Sequence, residues 1–170
     1  MSRAGLPVLV ATLFVVGVQL AILTDLRVAG VVVMAVWLWP FAVGLSGHTG
    51  LATLAGAVGG LCVDAHAITP FGLSAIIGVL IGWASSRLGR EGVGDLESAA
   101  WWVSPLIGAL IGLLAPAIYV VLGAVMLNFT LWRGSVFNVM WLNALAFAVL
   151  ARPAGYAARL VTQLVPTARR

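Results

Sequence analysis

The chain has 170 residues, 62% of them apolar and 8% charged, whereas about a quarter of the residues of a soluble domain carry charge. That excludes a water-soluble domain, a disordered chain and a solenoid, and a mean hydropathy of +1.13 shows that the polar deficit is general. The net charge of +4 comes from nine cations, all of them Arg, against five carboxylates. These Arg punctuate apolar runs instead of lining one solvated face, which argues against nucleic-acid binding.

The charge-free windows 4–24, 28–63, 65–86, 98–132 and 134–151 are where membrane spans are to be sought, since crossing a bilayer takes about 20 helical residues. The first window has no small-residue cleavage pattern after it, so it is predicted to stay in place as a span over 6–24 and not to be removed as a signal peptide. The window 28–63 would form a straight helix of about 54 Å, nearly twice the hydrocarbon thickness. It must fold back, and Ser46-Gly47-His48-Thr49-Gly50 supplies the turn formers. Spans over 28–45 and 48–64 follow, then 70–86, then 101–127 behind the interfacial pair Trp101 and Trp102, with Pro116 as a place to bend. The last span is 136–151. Reading 28–63 as a single span gives five helices and an equal charge split, and the length of that window decides for six. With both termini cytoplasmic, only Arg27 and Arg133 lie outside, as the positive-inside rule requires.

The segment 87–98 is read as a solvated cytoplasmic loop. Residues 1–151 then form a single transmembrane domain of six helices, and 152–170 an Arg-rich cytoplasmic tail. In that tail Arg152, Tyr156, Arg159 and Gln163 recur at helical spacing with Leu160, Val161 and Leu164 between them, and Arg169 and Arg170 close the chain. Such a segment suits the surface of an anionic lipid bilayer, or a cytoplasmic partner.

Small residues recur every four positions on three spans: Ala52, Gly56 and Gly60, continued by Asp64; Ser74, Gly78, Gly82 and Ser86; and Ser104, Gly108, Gly112 and Pro116. Helices in lipid associate by close backbone approach along such seams. Packing within the chain is the expectation; the alternative is that one seam, the fifth span's before the others, is left for a membrane partner or a second copy of the chain, as a homodimer. Gln19, Asn128, Asn138 and Asn143 are expected to form interhelical hydrogen bonds. Asp64 near a span end needs water or a partner. It is read as structural or partner-docking, either accepting backbone N–H groups in the following turn or pairing with Arg27 or Arg133. Thr69 and Pro70 are read as the N-cap and first residue of the fourth helix, opened by Phe71-Gly72-Leu73. Asp64 with His66 lacks a third ligand for zinc, and the lone Cys62 allows neither a disulfide nor a CxxC site. Neither metal nor cofactor is expected. Gly44-Leu45-Ser46-Gly47 matches the G-x-S-G string of rhomboid-type proteases, but no His follows His66 on a later span to serve as the base. No catalytic residue is assigned.

Gly60-Leu61-Cys62-Val63-Asp64 followed after five residues by Pro70-Phe71-Gly72-Leu73 resembles the MreD family, whose members have a glycine-rich helix ending in G-x-x-x-D, a short turn, and P-[LF]-G-[LM] opening the next helix. Asn143 in the last span and Arg152-Pro153 near its end are weaker points of likeness. The resemblance implies an all-α integral membrane protein of the bacterial cytoplasmic membrane, with a six-helix transmembrane bundle similar to the S component of energy-coupling-factor transporters. It implies a non-catalytic scaffold of the elongasome that serves cell shape and peptidoglycan synthesis. The implied partners are an MreC-like membrane protein, MreB, RodA and a class B penicillin-binding protein. Gly56, Gly60, Asp64, Thr69, Pro70, Phe71 and Gly72 are then the structural or docking residues. The alternative is a vitamin-binding S component, though the first span lacks the A-x-x-x-A spacing used for docking the coupling subunit.

Overall fold

The computed structural model describes residues 5–23, 32–66, 71–91, 102–127 and 136–163. They form six helices and no strand: α1 (Gly5–Val18, continued by a π-helical turn Gln19–Leu23), α2 (Ala35–Leu45), α3 (Thr49–Asp64), α4 (Leu73–Arg90), α5 (Val103–Leu127) and α6 (Val136–Gln163). Among the described residues three stretches are long and apolar enough to cross a membrane, Gly5–Ile22, Val103–Val125 and Phe137–Gln163.

The central element is α2. Every residue from Val36 to Leu45 is buried, and the helix touches all five others. Its 11 residues reach only about 16 Å, half of a hydrocarbon core. The expected span 28–45 is therefore corrected: residues 32–34 are not helical, and the helix starts inside the bundle. A helix start at that depth must have its N–H groups met by protein. The Asn143 side chain from α6 accepts the Met34 N–H at 2.9 Å, and the Gln19 side chain from α1 accepts the Ala35 N–H at 2.8 Å. Asn143 also donates to Val139 O at 2.9 Å and to Val32 O at 3.5 Å. The π-helical turn begins at Gln19, the residue that reaches α2. Thr12 of α1 adds a second tie, accepting the Trp39 indole N–H at 3.1 Å. We expect Asn143→Leu to cost about 2 kcal/mol, because the part-buried Met34 N–H and Val32 carbonyl ahead of α2 lose their partner. Unfolding in a detergent titration checks this, with the exposed Asn138→Leu as the neutral comparison.

The small-residue seams decide which helices touch. A Cβ on Gly78 would lie 2.5 Å from Gly56 O, and one on Gly82 2.6 Å from Ala52 O, so α3 and α4 meet backbone to backbone. The fifth-span seam is not free, so packing within the chain is observed there and the alternative of a seam left for a partner is not. A Cβ on Gly108 would meet Phe147 O at 2.7 Å and one on Gly112 would meet Asn143 O at 2.5 Å, and Ser104 is buried with them. The seam is taken by α6, because antiparallel helices joined by a short connection are the first to find each other's smooth sides.

Two further boundaries move. Instead of ending at residue 151, α6 runs unbroken through Pro153 to Gln163. Its second half packs through Ala154, Ala158 and Val161 against Val8, Trp39, Val43 and Ala52. The segment from Arg152 to Gln163 is thus part of the bundle. At the other hairpin, α4 continues to Arg90. One end of the bundle gathers the start of α1, the turn between α2 and α3, and the ends of α4 and α6. We call it the basic end, for Arg87, Arg90 and Arg159.

Candidate functional site: the corner between α3 and α4

The corner opposite the basic end follows from the register of α3 and α4. Ala52 faces Gly82, Gly56 faces Gly78, and Gly60 faces Ser74 and Ala75. One more turn along α3 brings residue 64 to the first turn of α4. Asp64 is 3% exposed, and its carboxylate accepts backbone N–H groups from that turn. Oδ2 takes Gly72 at 2.9 Å, Ser74 at 3.0 Å and Ala75 at 3.4 Å, and Oδ1 takes Ser74 at 3.3 Å. An N-cap side chain ordinarily serves the second and third N–H groups of its own helix. Here the cap residue is Gly72, which has no side chain, so a neighbouring helix supplies the oxygens. Its φ of 98° lies in the left-handed region, where a Cβ is costly. The carboxylate also sits where the helix dipole favours negative charge.

This corrects the N-cap assignment. The cap is Gly72 assisted by Asp64, and the helix opens at Leu73, not at Pro70. Thr69 and Pro70 themselves lie outside the described residues, as do Arg27, Arg133, Asn128, Arg169 and Arg170. Of the two fates open to Asp64, acceptance of backbone N–H groups is the one observed. Gly56 and Gly60 are buried against α4, and Asp64 is buried beneath its first turn. Phe71 is 71% exposed and faces outward at this corner, as do Ala65 and His66, with half-buried Gly72 next to it. His66 hydrogen-bonds Cys62 O through Nδ1 at 2.9 Å, which closes the end of α3.

At the basic end, Ser46 and His48 adjoin. The Ser46 hydroxyl lies 2.6 Å from Val43 O and 3.2 Å from His48 Nδ1. The Ser46 hydroxyl hydrogen goes to the carbonyl, and the His48 imidazole stands beside the hydroxyl oxygen. The pair closes the turn after α2. A recess of about 340 Å³ beside it is lined by Ser46, His48, Gly89, Arg159 and Thr162. Among the described residues no three His, Cys, Asp or Glu come together. Arg152 and Arg159 are half-buried on α6, and the Arg87 guanidinium stands 5.1 Å from the centre of the Trp83 ring, a cation–π contact of the kind found at interfaces.

Sequence reasoning identified Asp64 and the glycines but missed the joint clamp of Gln19 and Asn143 on α2. Both residues were expected to bond between helices, and the available signal for their target was a start of α2 too deep to be capped by water. The fold and this corner define a class: an all-helical bundle with helices of membrane-spanning length, a short central helix, and a helix start capped by a carboxylate from its neighbour. No family model, curated protein or solved structure matches the chain.

Proposed function

We propose that the protein is a non-catalytic scaffold of the bacterial cell-elongation machinery, similar to MreD. In this reading it lies in the cytoplasmic membrane with both termini inside and couples an MreC-like partner and peptidoglycan synthases to cytoplasmic MreB. The observation that carries the reading is the use of Asp64. The carboxylate of the G-x-x-x-D motif is buried and its oxygens are engaged by α4, so the motif builds a rigid corner instead of a reactive group. The corner presents Phe71 outward as the contact for a partner's membrane segment. The basic end, with Arg87, Arg90 and Arg159, lies against the anionic inner leaflet.

The test is a tagged pull-down from detergent-solubilised native membranes with identification of stoichiometric partners. An MreC-like protein or a cell-wall synthase is expected. Recovery of a pair of ABC-type ATPases with a coupling membrane subunit overturns the scaffold and makes the chain an S component.

A further inference from the structure

The starts of α3 and α4 are finished differently. The first turn of α4 receives the Asp64 carboxylate, whereas α3 begins at His48 with no side-chain cap, and the Thr49 hydroxyl is buried without a hydrogen-bond partner. At the start of α3 lies the recess of the basic end, whose volume of about 340 Å³ is in the range of small-molecule sites. Ser46 and His48 of the α2–α3 turn, Gly89 of α4, and Arg159, Thr162 and Gln163 of α6 line it, and none of the described carboxylates does. The Ser46 and Thr162 hydroxyls already give their hydrogens to Val43 O at 2.6 Å and Arg159 O at 3.1 Å. The donors in the wall are then the Arg159 guanidinium, with its five N–H groups, the His48 ring and the Gln163 amide. Arg90 follows Gly89 and runs its stem along Gly47, where a Cβ would lie 3.7 Å from Arg90 Cγ, so a second guanidinium stands near the rim.

We propose that this recess binds the phosphate group of an anionic membrane lipid. Its wall is cationic, and a guanidinium fork matches two phosphate oxygens at once. The uncapped start of α3 favours negative charge from the other side. The lipid, as opposed to a soluble anion, follows from what surrounds the opening. Tyr156 and Leu160, 51% and 66% exposed, recur with Arg159 and Gln163 on one side of α6, so apolar surface gives way to charge at the recess. A ligand suited to that boundary is amphiphilic, with its phosphate in the recess and its chains along α6. Bound there, it ties the end of α6 to the turn between α2 and α3. The inference rests on the placement of the basic end against the inner leaflet and not on the choice of protein partner.

Native mass spectrometry of the full chain in detergent tests it, by titration with phosphatidylglycerol, with phosphatidylcholine, and with phosphatidylglycerol against inorganic phosphate at constant ionic strength. One phosphatidylglycerol is expected to bind about tenfold more tightly than phosphatidylcholine, whose choline brings a positive charge to a cationic recess. Arg159→Gln and Gln163→Glu should each remove that preference. Gln163 is exposed, so its variant keeps the fold even where Arg159→Gln does not, and melting of the lipid-free proteins verifies this. Arg87→Gln takes a charge from the same end outside the recess and should keep most of the preference. Equal affinity for the two lipids overturns the proposal, and so does equal loss in Arg87→Gln and Gln163→Glu, which would describe diffuse attraction. Displacement of the lipid by equimolar inorganic phosphate overturns it as well, in favour of a soluble anion. Absence of the lipid preference with an MreC-like protein still captured overturns this site and leaves the scaffold; the reverse result leaves the site and overturns the scaffold.

Discussion

Asp64→Ala is expected to destabilise the protein by about 3 kcal/mol, since it deprives the first turn of α4 of a cap and leaves buried N–H groups without an acceptor. Asp64→Asn keeps one carbonyl oxygen at the same place and should lose about half as much, the remainder being the charge-assisted share of the bonds. Reversible unfolding in mixed micelles, followed by tryptophan fluorescence, gives both numbers. The pair of variants also separates two roles. If Asp64 acts only through α4, then under the proposed scaffold function partner capture and rod shape should track the folded fraction, with Asn intermediate between wild type and Ala. Equal loss of partner binding in both variants, with Asn fully folded, would show that the charge itself is used and would contradict the burial seen here.

Gly56→Leu should damage the fold to a comparable extent. Any Cβ at this position collides with the Gly78 backbone of α4, and backbone cannot rotate away as a side chain can. Because α3 and α4 hold the corner between them, the bulk must be met by separating the helices. Overpacking of this sort costs about 1–3 kcal/mol and sometimes more. Gly78→Leu presses on the same spot from the other side, so the two substitutions together should cost less than their sum. Gly17→Leu is the comparison, because nothing lies within 4 Å of its Cβ position; its stability should stay near that of the wild type. Thermal unfolding of purified protein, with yield from membranes as a second readout, decides the matter. Similar losses at residues 17 and 56 would mean that close approach of α3 and α4 is not what the glycine provides.

The helix count, the turn after α2 and the corner could be read in the sequence for identifiable reasons. Fourteen charges in 170 residues leave few places where the chain can meet water, so the charge-free windows bound the helices. The length of the window 28–63 against the bilayer forced a fold-back, and Ser46-Gly47 makes it. Glycines four apart mark a helix side on which something must come close, whatever the partner. Asp64, continuing that side, had to be met by hydrogen-bond donors, and backbone donors were among those expected.

The rest was hidden because it depends on what each residue meets across the bundle. A four-residue stripe on the fifth span states that a neighbour is near but not which neighbour, and α6 took it through Phe147, Ala151 and Asn143. The cap of α4 could not be assigned locally, since Thr69 and Gly72 are about equally good N-cap residues by type. Asp64, eight residues before Gly72 and on another helix, decides for Gly72 by supplying the oxygens that glycine lacks. The start of α2 was likewise invisible in an unbroken apolar run, because only the arrival of Gln19 and Asn143 makes a helix end tolerable there. Composition and spacing alone therefore establish an all-helical chain with spans long enough for a membrane, its principal turns, and the small residues that must approach a neighbour. Tertiary contact decided the pairing of the seams, the depth of the central helix and the role of the carboxylate, since each is a question of which buried polar or smooth surface meets which.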